Sequence, residues 1–519
     1  MKIHARNHEN PKPFLYAIVA LVITGAGAAA AGAQAQEPAT GANAAADAAP
    51  AADTVPVTTS SADARLDYEH ALLYHEDLLF VDKGLVSLRK AVKADPHFAL
   101  AHAMLAYFTS DPMEERREYA LAEKYIAKAS PDERLLVRWI DGAKNGGLVP
   151  AIAAMNDLLA KYPNDKRLAN MAAEWLCSNQ AAYEHGERIL KNVLQKDQTY
   201  FPALNNLAYC YALSGQPSLA PPLMDQYVAA LPAQPNPQDS YGEIMRMLGD
   251  YPAALEHYGK ALQIDSSFNT SQVGLASTYA LMGDQQRARV EYLKAIAGTK
   301  ERATKLDYRI LWAMTYYREN QLERGSREFA KLAVEAHAAD LPVEEAEIHR
   351  DMALFNPDPH AALRDLDAGR QVLTENHEIS QGGREIELAN ILQTRAFIAE
   401  RAGMADATQK ALKPLTAMSQ TSRSNLVQQS YHSANGAALM TEEKYDDAIP
   451  ELMEDLQNPL SLTLLAEAQS KAGQPVDAQK TLTSLAAISD ERVETAFAVP
   501  QARAALKENS VTGGQAGGH

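Results

Sequence analysis

Gly215, Gly249 and Gly283 stand 34 residues apart, and the residues around them repeat in step. Five positions after each glycine lies an alanine (Ala220, Ala254, Ala288), and nine after lies a large side chain (Met224, Tyr258, Tyr292). Seven before lies a small residue (Ala208, Gly242, Ala276), and four before a large one (Tyr211, Met245, Tyr279). A fixed period of this length arises when one supersecondary unit stacks on the next, so it commits the chain to a solenoid without a single central core.

Each unit reads as two amphipathic helices joined at the glycine. Around Gly249, the apolar residues Tyr241, Ile244, Met245 and Leu248 precede the turn. After it, Ala254, Leu255, Tyr258, Ala261 and Leu262 recur at helical spacings of three and four. Gly249 gives the turn its backbone freedom, Asp250 caps the next helix, and Pro252 fits that helix's first turn. Small residues belong where helices cross closely, and large ones fill the gaps between them. The Ala-rich composition, poor in β-branched runs, agrees with an all-α chain.

These positions resemble the tetratricopeptide repeat (TPR) family, whose consensus runs through a large residue, Leu-Gly, an aromatic, a turn glycine, Ala, an aromatic, Ala and a closing Pro. The match runs Asn206-Leu207-Ala208, Tyr211, Gly215, Ala220, Met224 and Pro232, then Tyr241-Gly242, Met245, Gly249, Ala254, Tyr258, Ala261 and Asp265. A third copy has Leu275-Ala276, Tyr279, Gly283, Ala288, Tyr292 and Ala295. The resemblance implies a right-handed α-solenoid, a superhelix of about twelve TPR-like helix-turn-helix repeats. Repeats are expected over 65–341, strongest over 201–300, with degenerate helical repeats over 342–430 and repeats again over 431–489. A helix over 490–507 is expected to cap the open end of the stack.

The ends read differently. Lys2, Arg6 and Lys12 lead an apolar run from Phe14 to Thr24, and Ala33-Gln34-Ala35 offers a small-x-small cleavage site, so 1–35 reads as a signal peptide. The alternative is an uncleaved inner-membrane anchor facing the periplasm, because Phe14 to Ala33 reaches the roughly 20 residues that span a bilayer. Residues 36–64, rich in Ala, Pro, Thr and Asp, are expected to form a disordered linker, and 508–519 a disordered tail.

With 49 Lys and Arg against 66 Asp and Glu, the net charge is −17 and no basic face is evident, which argues against nucleic-acid binding. The 14 histidines show no metal-ligand spacing, and HExxH, CxxC, EF-hand and Walker sequences are missing. Ser87 and Lys90 make a formal SxxK without the partner motifs of that enzyme class. The carboxylates Glu344, Glu345 and Glu347 read as solvated charge at a helix start. No enzyme, metal or cofactor is implied. The two cysteines, Cys177 and Cys210, fall on first helices of adjacent units. Helix axes about 8–10 Å apart make a bridge marginal, so the expectation is two buried small hydrophobes.

In the TPR family, residues ten, six and three before the turn line the concave face. The matching positions are Met171 and Trp175; Asn205 and Tyr209; Asp239, Glu243 and Arg246; Val273 and Ser277; and Ile310, Met314 and Tyr317. Such a surface, aromatic and Met-rich at its ends and charged at its centre, suits an extended peptide or partner helix. Alternatively, these side chains pack on neighbouring units in a tight superhelix. Asn205 and Asn206 lack the matching lysines of the carboxylate clamp found in chaperone-binding TPR proteins. The resemblance and the signal together imply a non-enzymatic protein-binding scaffold or adapter in the bacterial cell envelope, exported to the periplasm. The alternative is a polysaccharide-associated TPR solenoid in exopolysaccharide export.

Overall fold

The computed structural model describes residues 53–515 except 78–80, 146, 179, 181 and 377–378, and side chains outside 76–82 and 509–515. The expected signal peptide, linker residues 36–52 and residues 516–519 lie outside the described residues. Among the described residues the chain forms twenty-five α-helices. They make twelve consecutive pairs, from Ala62–Leu72 with Val81–Ala94 to Pro459–Lys471 with Pro475–Ala486, and a last helix, Val493–Gln515. The stretch 342–430 contains the pairs Pro342–Phe355 with Pro359–Glu375 and Gln381–Arg401 with Ala405–Thr421.

The turn chemistry explains the repeat. Gly249 adopts φ +78°, in the left-handed region that a side chain disfavours. Its N–H donates to the Arg246 carbonyl at 3.0 Å, and the next N–H, that of Asp250, reaches back to the Met245 carbonyl at 2.9 Å. These bonds satisfy carbonyls that the helix end would otherwise orphan. Gln216 and Asp284 reach back in the same way to Tyr211 and Tyr279. Asn320 and Glu443 take the left-handed conformation at the turns of their own units. The Asp250 and Asp284 carboxylates then accept the N–H groups of Ala253 and Arg287, starting the second helices.

Close crossing follows from the small residues. A Cβ on Gly274 would lie 2.3 Å from the Tyr258 ring, and one on Gly242 would lie 2.9 Å from it. Tyr258 therefore fills the space that two bare backbones leave, and it is buried with Ala254 and Ala261.

Three sequence expectations are corrected here. First, of the described residues expected to belong to the disordered linker 36–64, residues 53–60 form an extended strap across the first units and 62–64 open the first helix. The Val55 N–H donates to Asp165 at 3.1 Å and the Thr58 N–H to both oxygens of Glu133 at 3.1 Å. The Thr59 hydroxyl donates to Asp95 at 2.6 Å, while Val55 and Val57 rest on the N-terminal core. Carboxylates at successive inter-helix corners supply the partners that an isolated extended segment lacks. Ser61 then caps the first helix.

Second, Cys177 and Cys210 are joined by a disulfide, with a Cα–Cα distance of 5.4 Å. The helix spacing expected from average axes is undercut by Gly186 on the neighbouring helix. A Cβ there would lie 2.3 Å from the Cys177 sulfur and 3.6 Å from that of Cys210.

Third, the last helix runs from Val493 to Gln515, so residues 508–515 continue it where a tail was expected. No helix-breaking residue intervenes between Pro500 and Gly513. This helix does more than cover the final pair. Helices Arg302–Arg318 and Pro342–Phe355 also touch it, and Phe497 meets Phe355 and Phe397 edge-on at 5.7 and 5.9 Å. The array also touches itself elsewhere, where helix Gln381–Arg401 meets Pro131–Asn145 and the Asn425 side chain donates to the Gln180 carbonyl at 2.7 Å.

Candidate functional site: an acidic, aromatic cavity on the inner side

Three successive first helices, Lys166–Ser178, Phe201–Leu213 and Asn236–Met247, present one face inward because the repeat keeps them in register. Together with residues from the N-terminal units and from 380–386, they enclose a cavity of about 440 Å³. Seven of the predicted groove residues line it: Met171, Trp175, Asn205, Tyr209, Asp239, Glu243 and Arg246. The other five do not. Val273, Ser277, Ile310, Met314 and Tyr317 are buried between helices, as the alternative of tight packing anticipates. Ser277 bonds the Tyr292 hydroxyl at 2.9 Å, and Tyr317 stacks on Phe355 at 4.2 Å. Trp175 and Arg246 belong to the cavity yet are themselves only 3% and 4% exposed, whereas Met171, Tyr209, Asp239 and Glu243 are half-buried and Glu174 is exposed, so the inner face is partly covered where an open groove was expected.

The chain's own C-terminal segment contributes to this cover through Glu491. Residues 489–492, between two helices, cross the inner side, and distant units hold them there. The Ser489 hydroxyl donates to the Arg246 carbonyl at 3.1 Å, and Glu491 pairs with the Arg246 guanidinium. Arg318 donates to the Asp490 carbonyl at 3.2 Å. Arg350 bridges Glu387 at 2.9 Å and Glu494 at 2.5 Å. The periodicity could not signal Glu491, because the residue lies outside every repeat.

Charge within the cavity is unbalanced. Lys144 is engaged by Glu115 at 2.9 Å and by the carbonyls of Ala106 and Tyr107. Arg246 is engaged by Glu243 at 3.0 Å, by Glu491 and by the Tyr258 hydroxyl. Tyr209 donates to Glu243 at 2.8 Å, and Ser271 donates to Asp239 at 2.5 Å. Glu174, which no repeat position singles out although it adjoins Trp175, is exposed and lines the cavity. The surrounding cavity walls partly desolvate its carboxyl and raise its pKa. Asp239 is pushed up to about 7 chiefly by burial and further by Glu243, against the pull of Ser271 and Arg246. Burial likewise raises Glu243.

Neutral polar groups are also left over. The indole N–H of Trp175 and the side-chain oxygen of Asn205 are buried without hydrogen-bond partners among the described residues. His75 stacks on Phe108 at 3.8 Å, and burial holds its pKa at about 3, so its ring is neutral.

Of the acids expected as solvated charge at 344–347, Glu347 keeps a side chain 43% exposed, while Glu345 is largely covered and bonds the His337 ring at 3.1 Å. Burial raises Glu344, and it pushes Glu347 up to about 7, with Arg350 opposing the shift. They face Asp307, which is raised as well, so the inner side stays acidic beyond the cavity. Ser87 is buried and Lys90 exposed, so the SxxK pair does not converge on one site. Among the described residues no cluster could hold a metal ion, and no helix is long and apolar enough to cross a membrane.

No family model matches this chain, and no curated protein matches it. Among solved structures it is similar to yeast Tom70, at 15% identity over 80% of this chain and 98% of that one, with a TM-score of 0.42. It is similar to the APC/C hetero-tetramer Cut9–Hcn1, at 16% identity over 80% and 79% of the two chains and a TM-score of 0.40. A tetratricopeptide repeat protein from Parabacteroides merdae shares 15% identity over 52% of this chain and 92% of its own, with a TM-score of 0.32. The helix pairs of this chain, with their left-handed turns in a 34-residue register, form a TPR-like helical repeat solenoid.

Proposed function

We propose that the chain is a non-catalytic scaffold that binds an extended segment of a partner protein on its inner side, in the bacterial cell envelope. One observation carries this reading: residues 489–492 already lie there as a peptide would, their carboxylate, hydroxyl and carbonyl groups held by Arg246 and Arg318. Repeat solenoids use such inner faces for extended ligands. Export to the periplasm is supported by the basic lead, apolar run and Ala33-Gln34-Ala35 of the N-terminus. The Cys177–Cys210 disulfide supports the same compartment, because such bonds persist where the surroundings are oxidising. N-terminal sequencing of the exported chain should return Gln36.

Site-directed photo-crosslinking in the native envelope tests the binding mode. A photoreactive residue at Tyr209, on the inner side, should capture one defined segment of a partner, whereas the same residue at exposed Val290 should not. Adducts at Val290 alone, or at neither position, would overturn the proposal.

A further inference from the structure

The inner cavity has properties that a peptide scaffold does not require. Its volume of about 440 Å³ lies within the roughly 300–1,000 Å³ of small-molecule sites. Five carboxylates line it (Glu115, Glu174, Asp239, Glu243 and Glu491) against two cations, and both cations are already consumed by partners within the protein. Neither Glu174 nor Asp239 has a salt bridge among the described residues. They enter from helices two units apart, Lys166–Ser178 and Asn236–Met247, and line the same cavity. Tyr107, Trp175 and Tyr209 supply aromatic surface beside these acids. Aromatic faces and carboxylates attract the same kind of guest, a cation with an apolar body.

A second, independent observation points to an occupant. Asn205, 4% exposed, keeps its side-chain oxygen without a donor, and Trp175, 3% exposed, keeps its indole N–H without an acceptor. Both residues line the cavity. Buried polar atoms are rarely left unpaired in a folded protein, and a cluster of them against one space marks where a partner sits. An ammonium or guanidinium group brings several donors, which the Asn205 oxygen and the carboxylates of Glu174 and Asp239 can accept, while the Trp175 N–H, itself a donor, is not satisfied by the cation.

We infer that the cavity binds a small organic cation, a protonated amine or guanidinium on an aromatic or aliphatic body. The cationic end lies among the carboxylates that line the cavity, and the body rests on Trp175 and Tyr209. The site shares Tyr209 with the surface of the scaffold proposal but does not rest on that proposal, since it needs no displacement of residues 489–492 and no protein partner.

Three probes of one shape and different charge test it: phenethylamine, 2-phenylethanol and phenylacetate, titrated calorimetrically into the full exported chain. Phenethylamine should bind once per chain. Losing one charge-assisted interaction should weaken 2-phenylethanol roughly tenfold, and phenylacetate should not bind. Glu174→Gln should weaken phenethylamine by a similar factor and leave 2-phenylethanol unchanged. Asp239→Asn provides a second variant should the first fold poorly, with circular dichroism as the check on folding. Equal binding of the three probes, no phenethylamine binding up to about 10 mM, or unchanged affinity in both variants would overturn the inference.

Discussion

Arg246 and Glu491 stand 245 residues apart in the chain and meet as a buried ion pair on the inner side of the solenoid. Arg246 comes from a repeat at the centre of the array, and Glu491 from the segment that follows the last repeat. Truncating one partner of a buried pair leaves a charge without full compensation, whereas replacing both with apolar groups is often tolerated. Glu491→Ala should therefore lower stability by about 3 kcal/mol, since Glu243 compensates only part of the Arg246 charge. Arg246→Met combined with Glu491→Leu should recover most of that loss. Urea unfolding of the three proteins checks it, and a single variant within about 0.5 kcal/mol of the parent would refute it.

Reducing the Cys177–Cys210 bridge should lower stability by roughly 2–4 kcal/mol, mainly by releasing the unfolded chain from its closed loop. Unfolding curves with and without reductant measure this directly. Thiol titration of the denatured, unreduced protein should find no free cysteine.

The glycines divide into two groups with opposite responses to alanine. Gly274→Ala would drive a methyl group into the Tyr258 ring and should cost about 1–3 kcal/mol. Gly259, in the helix Tyr251–Ile264, has open space where a methyl group would stand, with nothing within 4 Å, and no positive φ. Gly259→Ala should stabilise by about 0.5–1 kcal/mol through helix preference. Thermal or urea unfolding should show the two changes with opposite sign.

The raised carboxyl of Asp239 makes stability depend on pH in a definite direction. It is raised from the unfolded value of about 3.9 to about 7, so between these values the folded state holds a proton that the unfolded state has lost. Stability from this group is complete below the unfolded pKa and falls as pH rises through 7. Ser271 faces Asp239 from the first helix of the following repeat, and Glu243 and Arg246 from its own, while Tyr209 and Tyr258 feel its charge. Asp239→Asn should flatten the decline in stability between pH 5 and 8, as read from unfolding midpoints across that range. An unchanged slope would contradict this assignment.

Glu133→Ala should free the strap at 53–60, because its carboxylate holds the Thr58 N–H with both oxygens. Hydrogen exchange at Thr58 should rise by an order of magnitude or more, with little change in the helices of the central repeats. Protection retained at Thr58 would show that Val55 and Val57 alone suffice to hold the strap.

The repeat is legible in the sequence because its causes are local. Gly249 must turn, Asp250 must cap, and Ala254 must sit where helices cross, all within a few residues of one another. Register then places Trp175, Tyr209, Asp239 and Arg246 on one inner face, and they do converge on the cavity. Contacts between distant parts of the chain are not legible. The disulfide depends on Gly186 in a third helix, and the burial of Val273, Met314 and Tyr317 on close packing that no single unit specifies. The strap cannot be read from Val55 and Val57, because its hydrogen-bond acceptors lie 75 and 110 residues away. Glu174 escapes a reading by spacing because its environment, rather than its position in the repeat, gives it importance.

An open solenoid behaves as a linear array, in which each repeat leans only on its neighbours and the ends fray independently of the middle. The segment at 489–494 alters that behaviour. By fastening the repeats of Arg246, Arg318 and Arg350 to the end of the chain, it couples the fate of the central units to that of the last helix. Detaching that segment should turn one cooperative unfolding transition into several.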